Sequence, residues 1–216
     1  MNHCIPEVII LAAVQTAHSK ELPESSMSLE QFLNWQEEDI HAEWINGKVI
    51  YMSPVSRKHQ ELSRFLTHLI GIFSENLHSG VLLTAPFSMH LDQIPAVREP
   101  DLLFVLAKNR NRLKETYLDG PADLVVEIIS PESIGRDRGD KFAEYEQAGI
   151  PEYWLIDPIR ERAEFYNLEN GRYHLSEINE GIFHSTILPG FYLHVNYLWQ
   201  DPLPSVVDIL KKLKAL

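Results

Sequence analysis

The order of apolar segments between residues 124 and 157 limits the folds open to this chain. Residues 124–130 have the sequence Leu-Val-Val-Glu-Ile-Ile-Ser, an apolar run enriched in β-branched residues that predicts a buried strand. A helix is predicted over residues 138–148, because Gly149 follows where a left-handed residue is favoured, and residues 153–157 predict another strand. Preceded by hairpins, this order of strand, helix and strand indicates an α/β or α+β sandwich around a mixed sheet.

Two Asn-Gly pairs predict tight hairpins, since this pair tolerates the positive φ of a type I′ turn. The first pair joins two strands within residues 42–52, and the second joins residues 162–168 to residues 172–176. Further apolar runs complete the predicted central sheet, at residues 81–91 and 100–105.

Three more helices are predicted from capping residues and apolar spacing. Ser28 and Gln31 have the spacing of a capping box, in which each side chain satisfies an amide at the helix start. A long helix is predicted after Ser56, because apolar side chains recur there at three and four residues. These side chains are Leu62, Phe65, Leu66, Leu69, Ile70 and Phe73. Residues 204–216 indicate a C-terminal helix with proline in its first turn.

The length of 216 residues fits one domain with a sizeable core. Residues 1–27 lack a sustained period and are assigned to an N-terminal arm. We assign residues 28–200 to the main domain and residues 201–216 to a C-terminal helix packed on the same domain. Apolar residues make up 44% and charged residues 23%, which excludes the disordered and fibrous classes.

The charge of the chain argues against a nucleic-acid ligand. Nineteen basic and thirty-one acidic residues give a formal net charge of -12, which repels nucleic acid at long range. A nuclease would need a local basic rim and divalent cations to compensate.

The cysteine count and the apolar segments indicate the compartment. Cys4 is the only cysteine, so an internal disulfide is excluded and the cytoplasm is the expected location. The apolar stretch at residues 8–14 is too short to cross a bilayer, so no membrane association is expected.

Glu127 lies inside the apolar run at residues 124–130, and strand alternation puts its side chain on the same face as Val125 and Ile129. Burying an ionised carboxylate there costs on the order of several kcal/mol of desolvation, unless a cation, a metal ion or a shared proton compensates the charge. The alternative is a strand-end glutamate that pairs with an arginine or faces solvent.

Asp101 follows Pro100 and opens the run Leu-Leu-Phe-Val, so it lies at or near a strand start. Asp101 and Glu127 could therefore converge from neighbouring strands. Carboxylates of this kind suit Mg²⁺ or Mn²⁺, which also bind retained waters and substrate phosphate. Taken alone, Asp101 is better explained as a turn or capping residue than as a metal ligand.

Three side chains of the helix after Glu127 share one face, because Arg138, Lys141 and Tyr145 are separated by three and four residues. A lysine beside a metal-bound phosphate would stabilise developing negative charge and help to orient the attacking water. The alternative is a solvated basic face that pairs with Glu144 or Asp137.

At these residues the chain resembles the PD-(D/E)XK nuclease superfamily, and within it a family of small restriction-endonuclease-like proteins long catalogued as a domain of unknown function. The resemblance covers roughly residues 28–200, and the order of its blocks is more specific than any one of them. The blocks are Glu43-Trp44-Ile45-Asn46-Gly47, Met52-Ser53-Pro54, His59-Gln60, Pro100-Asp101-Leu102-Leu103-Phe104, Val125-Val126-Glu127-Ile128-Ile129-Ser130-Pro131, Asp137-Arg138-Gly139-Asp140-Lys141, Gly149-Ile150-Pro151-Glu152-Tyr153-Trp154 and Leu188-Pro189-Gly190-Phe191.

The resemblance implies a restriction-endonuclease-like fold, a mixed central β-sheet flanked by helices. It makes Asp101 the first acid of the motif and Glu127 the second, with Glu43 as an additional metal ligand. The superfamily pattern expects lysine two residues after the second acid, where this chain has Ile129. Lys141 would then supply the ammonium from a migrated position on the following helix.

The expected function is a Mg²⁺- or Mn²⁺-dependent endonuclease that hydrolyses phosphodiester bonds in DNA. Its catalytic residues would be Asp101, Glu127 and Lys141, and its expected partners are the nucleic-acid substrate and a second copy of the chain in a homodimer. His59 and Gln60, at the start of the long helix, are additional candidates with Arg138 and Tyr145, although the first two are expected to face water. Alternatives are an inactive nuclease-fold module that binds protein, which the charge favours, and a hydrolase of small phosphorylated molecules.

Overall fold

The computed structural model describes residues 26–35, 41–131, 133 and 135–216. Most of the predicted N-terminal arm therefore lies outside the described residues. Four α-helices are present in this part of the chain: α1 (Leu29–Trp35), α2 (Arg57–Asn76), α3 (Lys141–Ala148) and α4 (Val206–Lys212). Among the described residues, no helix combines the length and the apolar character needed to cross a membrane.

Three sheets account for the described strands. The strands are β1 (Ala42–Ile45), β2 (Lys48–Tyr51), β3 (Gly80–Thr84), β4 (Ser88–Leu91), β5 (Ala96–Arg98), β6 (Leu102–Leu106), β7 (Tyr117–Asp119), β8 (Leu124–Ile128), β9 (Glu152–Asp157), β10 (Arg162–Glu169), β11 (Arg172–Leu175), β12 (Ile182–His184) and β13 (Tyr192–His194). The main sheet has the order β11-β10-β9-β8-β6-β3, the second sheet has the order β2-β1-β5-β4-β7, and β12 pairs with β13.

The main sheet is mixed, as predicted. Strands β8 and β9 are parallel and are connected through α3, whereas β6 and β10 run antiparallel to their neighbours. A parallel pair needs a crossover, and the helix predicted between these two strands supplies it. The predicted fold class, a mixed central sheet flanked by helices, is confirmed.

The two faces of β8 belong to different layers of the core. Leu124, Val126 and Ile128 pack in one apolar cluster with α2 and α4, whereas Val125 packs in another with α3 and the second sheet. Because side chains alternate along a strand, Glu127 points to the same side as Val125. The carboxylate is thus placed between the main sheet, α3 and the second sheet.

Local signals in the sequence located most element ends. Ser28 and Gln31 form the reciprocal hydrogen bonds of the capping box, at 2.8 and 3.2 Å. Ser56 caps α2 by accepting the backbone amide of His59. Both Asn-Gly hairpins form, and α3 ends at Gly149, whose φ is 82°. Each of these features depends on residues that are close together in the sequence.

The run at residues 81–91 was predicted as one extended segment, and this was wrong. It divides into β3 and β4, which belong to different sheets. Pro86 lies between them and has no amide to donate to a ladder, so the chain turns there and leaves the main sheet. Strands β5 and β7 were not predicted, because three residues are too few to show a period of two.

Candidate active site

Asp101 and Glu127 meet across two neighbouring strands. Leu102 of β6 lies opposite Val126 of β8, which brings Asp101 beside the end of β8. The backbone amide of Ile128 donates to Oδ2 of Asp101 at 2.7 Å. The predicted convergence of the two acids is therefore present in the structure.

Lys141 and Tyr145 both reach Glu127 from α3. Nζ of Lys141 lies 2.9 Å from Oε1 of Glu127, and the hydroxyl of Tyr145 donates to the same oxygen at 2.8 Å. All three side chains are buried, with Lys141 only 2% exposed. One turn of helix separates the two donors, so the predicted shared face of Lys141 and Tyr145 does contact the second acid.

The ammonium of Lys141 is shared by three carboxylates from different parts of the chain. Besides Glu127, it lies 3.1 Å from Oε1 of Glu43 and 3.6 Å from Oδ1 of Asp137. Burial alone would lower the pKa of Lys141, but these three carboxylates outweigh it and hold the pKa well above its usual value. Lys141 therefore stays protonated.

Burial has the opposite consequence for the acids. Burial, together with the charges of Asp137 and Asp101, raises the pKa of Glu127 to about 8, although the charge of Lys141 lowers it. The pKa of Asp137 is also raised by burial. The site thus contains more buried carboxyl groups than the nearby cations neutralise, and an additional cation would stabilise their charged forms.

Glu43 is held by two cations. Its Oε2 accepts from Arg98 at 2.8 Å, and its Oε1 contacts Lys141 and accepts the amide of Glu99. Burial raises the pKa of Glu43, but the charges of Lys141 and Arg98 outweigh this and lower it. Because both oxygens are engaged, Glu43 supports Lys141 in this geometry, and its role as a metal ligand stays a prediction.

Arg138 does not lie with Lys141 and Tyr145. Residues Arg136–Asp140 form a π-helical turn, which holds more residues per turn than an α-helix. The spacing of three residues therefore does not place Arg138 on the face of Lys141. Arg138 instead pairs with Glu164, and its other nitrogen lies 3.8 Å from Asp157. Asp137, four residues before Lys141, does lie in the site, whereas the sequence indicated it only as an ion-pair partner of a solvated basic face.

His59 is buried, and its predicted exposure to water was wrong. Nε2 of His59 lies 3.2 Å from Oδ2 of Asp101, and its side chain is only 5% exposed. Its Nδ1 is buried and has no hydrogen-bond partner within the described part of the chain. Gln60 is exposed, as predicted, and lines the cleft beside the site.

Glu99 is a further acid of the site that sequence reasoning missed. Its Oε1 lies 3.0 Å from Nδ1 of His41, and its Oε2 is buried without a hydrogen-bond partner among the residues described. Burial raises the pKa of Glu99 above its usual value. Its position two residues before Asp101 was the available signal, since alternate residues of an extended segment share a side.

The site opens into a cleft with two lobes, which we call the α2 lobe and the π-turn lobe. The α2 lobe encloses about 630 Å³ and is lined by Gln60, Arg64 and Thr67 of α2. The π-turn lobe encloses about 380 Å³ and is lined by Glu127, Lys141 and Arg136. Both lobes share a set of lining residues, Met52, Ser53, Pro54, Val55, His59, Glu99 and Asp101. Asp101 thus lies where the two lobes join.

Comparison with known proteins identifies the family of this chain. The Uma2 family, described as "Putative restriction endonuclease", matches residues 29–196. This chain belongs to the Uma2 family. The matched range contains Asp101, Glu127 and Lys141, and it ends before α4.

Two individual proteins are similar to this Uma2 member. An uncharacterized protein of Synechocystis sp. is 26% identical over 155 residues, which cover 70% of this chain and 79% of the relative. A crystal structure described as a "putative nuclease belonging to DUF820", from Anabaena variabilis, superimposes with a TM-score of 0.66 at 17% identity. It covers 80% of this chain and 97% of the other, and at this identity it shows the fold.

The carboxylates of this Uma2 chain fit a hard divalent ion bound through few protein ligands. Oδ2 of Asp101 accepts from Ile128, and Oε1 of Glu127 accepts from Lys141 and Tyr145, whereas neither Oδ1 nor Oε2 accepts a hydrogen bond from a described residue. No group of three or more His, Cys, Asp or Glu side chains among the described residues could by itself hold a metal ion. Mg²⁺ commonly binds through one or two carboxylates, waters and substrate phosphate.

Proposed function

We propose that this protein is a metal-dependent endonuclease that hydrolyses phosphodiester bonds in DNA, with Mg²⁺ or Mn²⁺ as cofactor. The observation that supports it best is that Asp101, where the two cleft lobes join, lies beside Glu127 of the π-turn lobe. Each carboxylate has one oxygen held by the protein and another without a described donor. Membership of the Uma2 family points to the same activity.

Asp101 and Glu127 would hold the metal ion through these oxygens, with waters completing the coordination. A bound divalent ion lowers the pKa of a coordinated water and stabilises charge on the scissile phosphate. The protein contributes orientation: Lys141 and Tyr145 hold Glu127, while Ile128 and His59 hold Asp101. Lys141 also presents a permanent positive charge to the cleft, because its pKa is held well above neutrality.

A cleavage assay with isosteric variants tests the proposal. We expect purified protein with Mg²⁺ or Mn²⁺ to cleave labelled single-stranded, double-stranded or branched DNA. Glu127→Gln and Asp101→Asn remove the charge of one ligand while they keep the shape of the side chain. We expect each to lower the cleavage rate more than about 100-fold. This is a larger loss than the roughly 10- to 100-fold loss of activity that is typical when a residue that only contacts a metal ligand is replaced.

The matched control is Glu169→Gln, because Glu169 is an exposed glutamate at the end of β10 in the same sheet. It should cleave like the wild type. If the wild type leaves all three DNA forms and RNA intact over a wide range of protein concentrations, the nuclease proposal is wrong. Binding of a protein partner that survives Glu127→Gln would then support the interaction module, which the net charge of -12 favours.

The expected homodimer and cytoplasmic location belong to this proposal. Sedimentation of the purified chain and fractionation of cells test these two expectations separately from cleavage.

A further inference from the structure

The arginines of this acidic chain differ in whether a carboxylate neutralises them. All ten arginines lie in the described ranges, and seven of them form ion pairs with carboxylates. These seven are Arg57, Arg98, Arg112, Arg138, Arg160, Arg162 and Arg172. Arg64, Arg110 and Arg136 have no carboxylate partner among the described side chains. In a chain with thirty-one acidic residues, a guanidinium with no carboxylate partner in the described part of the chain is informative.

Two of these three arginines line the cleft, one in each lobe. Arg64 lies on the exposed side of α2 and lines the α2 lobe. Arg136 lies at the start of the π-helical turn and lines the π-turn lobe. Asp101 lines both lobes, so the two guanidinium groups lie in different lobes that meet at the proposed metal site.

Arg136 is partly buried, and it has an unsatisfied donor. Its Nε is buried without a hydrogen-bond partner in the part of the chain that the structure describes. A buried donor without a partner costs free energy, so a ligand that accepts this hydrogen bond would bind favourably. Guanidinium groups match the geometry of phosphate and bind it through two parallel hydrogen bonds.

We propose that Arg64 and Arg136 bind the backbone phosphates on the two sides of the scissile bond. The substrate is then an internal stretch of a polynucleotide strand, and it passes from the α2 lobe over Asp101 into the π-turn lobe. This inference rests on the proposed function for the position of the scissile bond. It selects polymer over a mononucleotide or a small phosphorylated molecule, because only a run of nucleotides has a backbone phosphate on each side of a scissile phosphodiester.

The first test measures binding, with Ca²⁺ in place of Mg²⁺ and a fluorescent 12-nucleotide DNA strand over a series of salt concentrations. We expect Arg64→Gln and Arg136→Gln each to weaken binding roughly tenfold, in the range of lost hydrogen bonds to charged groups. Each should also reduce the slope of log affinity against log salt by about one, since one phosphate contact is lost. Arg136→Lys keeps the charge but loses the paired hydrogen bonds, so it should bind with intermediate affinity.

Arg110→Gln is the matched control, because Arg110 also lacks a described carboxylate partner but lines a different cavity, beside Gly80 and His78. It should bind like the wild type. Circular dichroism of each variant checks that the fold is retained, and Arg136→Lys serves if Arg136→Gln does not fold.

The second test compares a dinucleotide with a tetranucleotide as cleavage substrates. The wild type should have the higher kcat/KM for the tetranucleotide, and the double variant of Arg64 and Arg136 should lose this preference. The inference is overturned if the wild type binds no strand, if both single variants bind like Arg110→Gln, or if only one of them weakens binding. Arginine-dependent binding without cleavage would reject the proposed function and leave only the two phosphate contacts of a bound strand. Cleavage indifferent to both arginines would reject the inference alone.

Discussion

At the scale of single residues, Glu127 and Glu152 have similar sequence contexts but different hydrogen-bond partners. Both are buried glutamates in neighbouring apolar strands. Glu152 accepts five hydrogen bonds from uncharged donors of Trp154, Ser185, Thr186 and Ile187, at 2.7–3.1 Å. Both carboxylate oxygens of Glu152 thus accept hydrogen bonds within the fold, and they hold residues 185–187 against β9. Glu127 instead has one oxygen held by Lys141 and Tyr145.

We therefore expect Glu152→Gln to destabilise the protein without a specific effect on metal binding. The amide nitrogen of the glutamine would replace one acceptor oxygen and would face N–H and O–H donors. The loss of these hydrogen bonds to a charged group costs about 2–3 kcal/mol. Urea denaturation followed by tryptophan fluorescence measures the change in the free energy of unfolding. Glu169→Gln, at an exposed position, should stay within about 0.5 kcal/mol of the wild type. Equal stability of the two variants would contradict the structural role of Glu152.

At the scale of elements, the connection from β8 to α3 determines which side chains enter the site. Sequence spacing predicted that Arg138, Lys141 and Tyr145 would lie together, and the last two do. Within the π-helical turn at Arg136–Asp140, Arg138 points away to Glu164, while Asp137 lies beside Lys141. The ammonium of Lys141 then joins β1, β8 and this turn through Glu43, Glu127 and Asp137.

Removing this ammonium should weaken all three elements together. We expect Lys141→Met to destabilise the protein by about 3–5 kcal/mol, because it leaves buried carboxylates without their cation. The double variant with Glu127→Gln should recover part of the loss, since one of those carboxylates is then neutral. Urea denaturation measures both effects, and Lys211→Met on the exposed side of α4 is the control. A single variant as stable as the wild type would show that Lys141 does not hold these elements.

At the scale of the whole molecule, the cleft joins parts of the chain that are distant in sequence. Its walls come from residues 52–55, the start of α2, the end of β8 and the π-helical turn. The acids that meet there are supplied by both the main sheet and the second sheet, and they are only partly neutralised by Lys141 and Arg98. Because these carboxylates come together only when the chain folds, they favour binding of a divalent cation to the folded state alone.

Mn²⁺ should therefore raise the thermal stability of the wild type relative to a sample in EDTA. A ligand that binds only the folded state at 100 times its Kd stabilises it by about 2.7 kcal/mol. We expect the midpoint of thermal unfolding to rise with Mn²⁺ concentration for the wild type and for Glu169→Gln, but not for Glu127→Gln. Calorimetric scans of the three proteins check this. A metal-induced shift that persists in Glu127→Gln would place the metal elsewhere.

The sequence alone determined the elements whose cause is local. Capping residues, Asn-Gly pairs and apolar periods specified α1, α2, both hairpins and the end of α3, because each depends on residues a few positions apart. It also selected Glu127, since an ionisable group in an apolar run needs a partner, whereas Asp101 and Lys141 were selected through the resemblance to the PD-(D/E)XK nucleases.

Only the tertiary structure decided which partners those groups meet. Glu99 and Arg98 reach the site through strand pairing that no short window of sequence specifies. His59 is buried because Asp101, forty-two positions along the chain, lies against the start of α2. Contacts of this kind depend on the packing of sheet against helix, so they stabilise the protein only when the whole fold forms.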